Sequence, residues 1–157
     1  MTISRSDFLH RIMKYCADAE RSTFDVLAKL NAWGVPSVET DEILRKLYAE
    51  KFVDDNRFAA RFVSEKWKLD RWGKIKIKHA LQQKSLDEKI IHDALDKIDS
   101  NEYVEGLHEL LAIKQKAVKS GNKMEDGRRI LMFALSRGFE EDLIIEWLGK
   151  EGYEIKL

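Results

Sequence analysis

A single proline, Pro36, and eight glycines punctuate the 157 residues. That is too little turn chemistry for a protein of short strands and tight loops, and it favours helices. Cysteine is scarcer still. Cys16 stands alone among apolar helical positions, which excludes a disulfide framework and a cysteine-based zinc site and leaves a small buried hydrophobe. No stretch approaches the roughly 20 apolar residues of a membrane span. The opening MTISRSDFLHRIMKYCADAE has no continuous apolar run and does not read as a signal peptide, so a soluble, cytoplasmic protein is expected. Signatures of catalysis are missing too. His10, His79, His92 and His108 fall in different helical stretches without H-x-x-H or H-x-x-x-H spacing, which gives metal binding little support. The glycine-rich phosphate and dinucleotide loops and the GxSxG elbow do not occur. No cofactor and no enzymatic activity are expected; the sequence reads as a binding module.

What the chain has is helical periodicity. Apolar residues recur every three or four positions, and 44% hydrophobic with 36% charged residues supplies a core and a solvated exterior. The one strand-like stretch, KIKIK at 74–78, follows Gly73 and is read as the start of a helix. Repeats organise the whole. VLAKLNAWGV (26–35), IKHALQQKSL (77–86) and ILMFALSRGF (130–139) align without gaps. Gly34 and Gly138 suit the left-handed position just past a helix end, where the middle copy has Ser85. A short helix opening on acids follows each, with Asp87 as a cap and Leu86 and Ile91 at the two staple positions around it. A longer amphipathic helix precedes each, at about 5–20, 55–71 and 101–119. The expected architecture is all-α: three tandem three-helix repeats, 1–52, 53–99 and 100–157, stacked into an elongated, curved body with shared buried surface. Phe52, Val53, Trp72, Trp147 and Tyr153 are expected at packing or junction positions.

Charge is unevenly placed. The chain is neutral overall, yet residues 57–84 hold nine Lys or Arg against only Glu65 and Asp70. Arg57, Arg61, Lys68 and Arg71 would share an arc of roughly 80° on one helix, opposite Phe58, Ala59, Phe62, Val63 and Trp67. Lys74, Lys76 and Lys78 follow on the next helix. Ordinary exposed helices interleave both signs, so this strip is the candidate contact surface for phosphate or an acidic protein groove. Nothing in it points to base-specific readout. Asp54 and Asp55 read as a helix cap and dipole partner rather than a metal or acid–base pair. Arg57 and Arg61 are expected to hold both carboxylates ionised.

The run L-x-x-x-x-F-V-D-D-x-R-F-A-x-x-F-V from Leu47, then W-G-x-x-x-I-x-x-x-L-x-x-K-S-L from Trp72 and I-x-x-A-L from Ile91, resembles the RecX family of recombination regulators. Asp54, Asp55, Arg57, Phe58, Gly73, Ile77 and Leu81 stand at matching positions. The family usually carries Lys-Gly ahead of an apolar residue at two places where this chain has Lys51-Phe52 and Ser85-Leu86. The resemblance implies a tandem three-helix fold and no catalytic residues. It further implies binding of a monomer in the groove of the RecA filament on DNA, most often as an inhibitor of recombination, repair and the SOS response. DNA binding by the protein alone is expected to be weak and non-specific. A helix-turn-helix reader of DNA is disfavoured, because the third helices (88–97, 141–149) are acidic.

Overall fold

A computed structural model describes residues 5–155, and those residues form nine α-helices and no strand. They run α1 (Arg5–Asp18), α2 (Thr23–Ala32), α3 (Ser37–Ala49), α4 (Asp55–Lys68), α5 (Lys74–Gln83), α6 (Glu88–Asp96), α7 (Ser100–Ala117), α8 (Lys123–Ser136) and α9 (Glu141–Lys150). Residues 1–4 and 156–157, the outer ends of the first and third expected repeats, lie outside the described residues. KIKIK does begin a helix: Ile77 is fully buried while Ile75 stays 54% exposed, which a helix allows and a strand with both isoleucines on one face does not.

Local chemistry sets the boundaries. Ser22 and Asp25 form a reciprocal capping box at α2. Asp54, Asp87, Asp99 and Asn122 each accept a backbone N–H at the start of their helix. Leu86 and Ile91 are both buried around Asp87, as a staple requires. Gly34 and Gly138 take positive φ, and Ser85 (φ 55°) and Lys51 (φ 62°) do so without being glycine. The left-handed turn is therefore kept at both places where the family's glycine is absent, at roughly 1–2 kcal/mol for each side chain.

The helices associate in threes, α1–α3, α4–α6 and α7–α9. The core is not one stack. Among the described residues, Phe8, Ile12, Val26, Leu30, Ile43, Leu47 and Val53 form one buried cluster under the first three helices. A second cluster runs without a break through the other six, from Phe58 and Trp67 to Tyr103, Phe139 and Leu148. Shared burial thus holds for the second and third groups only. The accessible surface is 9993 Å², well above the ~8,100 Å² of a compact monomer of 18.3 kDa, so the body is extended. Of the expected packing residues, Val53 and Trp147 are buried, and Phe52, Trp72 and Tyr153 are half-buried.

Candidate functional site

The structure divides the basic strip among several faces. α4 ends at Lys68, and Arg71 (φ 56°) lies beyond it in a left-handed turn. The single helical arc from Arg57 to Arg71 is therefore corrected to one from Arg57 to Lys68. Arg71 instead points its guanidinium toward Glu109 of α7, 3.8 Å away. The cause is local: Trp72 N–H donates to the Lys66 carbonyl (2.9 Å), folding the chain back over the end of α4.

Arg57 is a joint rather than a free cation. Its Nε donates to Glu20 (2.8 Å), and its two Nη groups donate to the carbonyls of Lys51 (3.1 Å) and Phe52 (3.4 Å). Neither aspartate receives it. Asp54 caps α4 through the Arg57 amide (3.1 Å), and Asp55 accepts the Thr23 amide (2.8 Å) at the start of α2. The expectation that the Arg57 and Arg61 guanidinium groups sit beside these carboxylates gives way to this geometry, with Arg61 turned along the helix to Glu65 (2.9 Å). Lys84, outside the predicted strip, reaches back to Asp25 at 2.5 Å. Burial pushes the Asp25 carboxyl up, but hydrogen bonds from Lys84 and Ser22 outweigh it and hold it below the usual value of 3.8.

Three cations remain exposed, Arg61, Lys68 and Lys78, while Lys74 is half-buried with its ammonium 4.8 Å from the Tyr103 ring centre. Arg61 and Lys68 project from α4, and Lys68 lines a cleft of about 280 Å³ with Trp67, Lys97 and Glu102. Lys74 and Lys78 line a cleft of about 480 Å³ between α5 and α6, opposite Glu88 and Asp96. Lys76 leaves the strip, placing its ammonium 4.4 Å from the Trp72 ring centre.

Gly73 and Phe58, singled out for structure, have physical reasons the pattern did not disclose. Phe58 is buried and stacks on Phe62 with ring centres 5.8 Å apart. Gly73 has an ordinary φ of −77°; it is needed because another chain segment passes against it. Its N–H donates to the Arg137 carbonyl (2.7 Å), and the Ile75 N–H donates to the Gly138 carbonyl (3.0 Å). A Cβ on Gly73 would lie 2.3 Å from the Gly138 oxygen. Beside this contact Trp67, Tyr103 and Phe139 pack ring against ring at 5.1–6.3 Å. The Tyr103 hydroxyl donates to Glu140 (2.5 Å) and accepts the Lys74 amide (3.0 Å). Burial, then the Glu140 carboxylate, pushes its pKa far up. No cluster of three or more metal-ligating side chains occurs among the described residues, and none of their helices is long and apolar enough to cross a membrane.

The segment holding α4, α5 and most of α6, residues 54–95, matches the family model described as RecX, second three-helix domain. Across nearly all of the chain, the Regulatory protein RecX of Lactobacillus johnsonii is 28% identical over 153 residues, 95% of this chain and 56% of the relative. That of Bacillus licheniformis is 30% identical over 149 residues, 92% and 55% respectively. The chain is thus similar to RecX proteins along nearly its whole length. A RecX from Chlorobium phaeobacteroides is nearer in extent, 26% identical over 87% of both chains. The fold agrees as well: the crystal structure of RecX from Lactobacillus salivarius superposes with a TM-score of 0.84 at 22% identity, covering 93% of this chain and 95% of that one. The chain spans a little over half the length of the first curated RecX relatives it matches.

Proposed function

We propose that this chain is a non-catalytic regulator, acting as an inhibitor, of the RecA recombinase. It binds as a cytoplasmic monomer to the RecA filament on DNA and restrains recombination, repair and the SOS response. The observation that carries the reading is a coincidence of position: the segment matching the RecX domain, 54–95, contains the whole of the basic stretch 57–84. The extended helical body supplies length for lying along a groove. Arg61, Lys68, Lys74 and Lys78 are its contact residues for filament or phosphate, with Arg71 and Lys76 at the margin. Arg57 contributes by holding the first two helix groups together.

The test is RecA ATP hydrolysis and strand exchange on single-stranded DNA, with the wild type beside the triple variant Arg61→Glu, Lys68→Glu, Lys78→Glu. All three side chains are exposed, so the variant keeps its helical spectrum and melting temperature. The wild type is expected to suppress both activities, and the variant to lose most of that effect. A wild type without effect at stoichiometric excess overturns the regulator reading; a folded variant of full potency overturns this contact surface alone.

A further inference from the structure

Two of the helix groups put the same face to the same use. In the first group that face is the end of α1, the turn after it and the opening of α2; in the second it is the end of α4, the turn after it and the opening of α5. Each receives the first helix of the group that follows. Asp55 of α4 accepts the amide of Thr23, the first residue of α2, and Tyr103 of α7 accepts that of Lys74, the first residue of α5. Both incoming helices open on acids, Asp54 and Asp55 in one, Asp99 and Glu102 in the other. Both bury an aromatic ring at their fourth residue, Phe58 and Tyr103.

In the third group the same elements, the end of α7, the turn after it and the opening of α8, border an open cleft of about 500 Å³. Gln115, Lys116, Val118, Lys119, Lys123 and Tyr153 line it. The turn that follows the last helix of the group is kept as well. Tyr153 N–H donates to the Leu148 carbonyl (2.9 Å) past a positive φ at Gly152, as Phe52 N–H donates to the Leu47 carbonyl (2.8 Å) past Lys51.

The chemistry of the cleft selects its occupant. Lys116, Lys119 and Lys123 are exposed, and none is paired with a carboxylate among the described residues. The acids beside them are engaged elsewhere. Asp126 is buried and accepts the Ser120 amide (3.2 Å) and hydroxyl (2.6 Å), and Glu151 lies 3.5 Å from Gln115 Nε2. Buried Val118 and the half-buried Tyr153 ring supply an apolar part. Unneutralised ammonium groups next to an apolar place complement what α4 and α7 bring to the other two faces, acids followed by a ring. Such complementarity sets the choice of partner and its register.

We propose that this cleft docks the acidic opening turn of a helix from a partner protein. Carboxylates of that turn meet Lys116, Lys119 and Lys123, and an aromatic residue at its fourth position packs on Val118 and Tyr153. The site lies on the third helix group, apart from the Arg61, Lys68 and Lys78 surface assigned to the filament, and does not rest on that assignment.

Fluorescence anisotropy without RecA tests it, using a labelled helical peptide of about 15 residues that opens Asp-Asp-Glu-Glu-Tyr. The comparison probes are the same peptide with Asn and Gln in place of the acids, one with the acids moved to its C-terminus, and oligo(dT) of equal charge. The wild type is expected to bind the first peptide roughly tenfold or more tighter than either other peptide, and more weakly as salt rises. Lys119→Glu with Lys123→Glu, both exposed, removes that preference and keeps the helical spectrum. The triple variant Arg61→Glu, Lys68→Glu, Lys78→Glu retains it. Equal binding of the three peptides, a folded Lys119→Glu, Lys123→Glu variant of wild-type affinity, or oligo(dT) bound as tightly as the first peptide overturns the proposal. So does a dimer in sedimentation that the double variant dissolves, since a second copy would then be the occupant. Failure here leaves the RecA reading standing, since RecA is absent from the assay, and the converse holds for the strand-exchange test.

Discussion

The joint between the first and second helix groups and the joint between the second and third occupy equivalent places in the repeat. In both, the next group's first helix caps the opening amide of a short helix: Asp55 takes Thr23 N–H, and Tyr103 takes Lys74 N–H. In both, the residue closing the next group's second helix reaches back, Lys84 to Asp25 and Arg137 to the Asp70 carbonyl. The materials differ. The first joint is made of charges at the rim of two separate cores; the second has backbone against backbone with Trp67, Tyr103 and Phe139 inside one core. Ion pairs that keep solvent access contribute little and are screened by salt, whereas buried rings and tight backbone contact are neither. Two joints of one geometry should thus differ in strength.

Truncation breaks the comparison most severely. Removing residues 100–157 uncovers Trp67 and takes away the acceptors of the Gly73 and Ile75 amides. The remaining 1–99 fragment is expected to lose cooperative folding of α4–α6 by circular dichroism, while α1–α3 stay folded. Removing residues 1–52 leaves the larger core entire and a single cooperative transition. A 1–99 fragment whose α4–α6 unfolds at the full-length midpoint would mean that the joints are alike after all.

Within the second joint, Tyr103→Phe deletes a donor to Glu140 and an acceptor for Lys74 N–H while keeping the ring. Denaturant unfolding should show a loss of roughly 1–3 kcal/mol. The matching change in the first joint, Asp25→Asn, should be smaller and sensitive to both salt and acid. The native carboxyl holds its proton more weakly than the unfolded one. Its contribution is therefore complete above about pH 4 and disappears as pH falls further. Melting curves of wild type and Asp25→Asn should differ by a constant amount from about pH 5 to 7 and converge at lower pH; a gap that widens in acid would contradict the assigned sign. Smallest is Ser85→Gly, next to Lys84. Relief of the left-handed serine should stabilise by at most about 1 kcal/mol, offset in part by glycine's freedom in the unfolded chain.

This contrast was only half legible in the sequence. Apolar spacing and caps disclosed the helices, because they are decided by neighbours a few residues away. The alignment of 26–35, 77–86 and 130–139 disclosed the left-handed turns at Gly34 and Gly138 for the same reason, while the turn kept at Ser85 without glycine required the structure. What it could not disclose were partners distant along the chain. Asp55 looked like half of a capping pair, yet its acceptor serves Thr23, and Lys84 looked like a family motif residue, yet it reaches Asp25. Helical arithmetic alone puts Arg57 and Arg71 on one free surface; in the fold the first is held in a joint and the second lies past the helix end. Gly73 was visible as a break, while its cause, the passage of Gly138, required the fold.

The two amide bonds from Gly73 and Ile75 to Arg137 and Gly138 also set an order of events during synthesis. A ribosome adding roughly 5–20 residues per second needs about 3–13 s to travel from Gly73 to Phe139. Until then α5 has no acceptor for its opening amides, and Trp67 lacks the rings that later enclose it. The first three helices wait for nothing so distant, since their own core closes by Val53. The nascent chain therefore passes through an interval with one finished module and one sticky, unfinished one. That interval, rather than the finished molecule, is where a chaperone or a wrong partner has its opportunity.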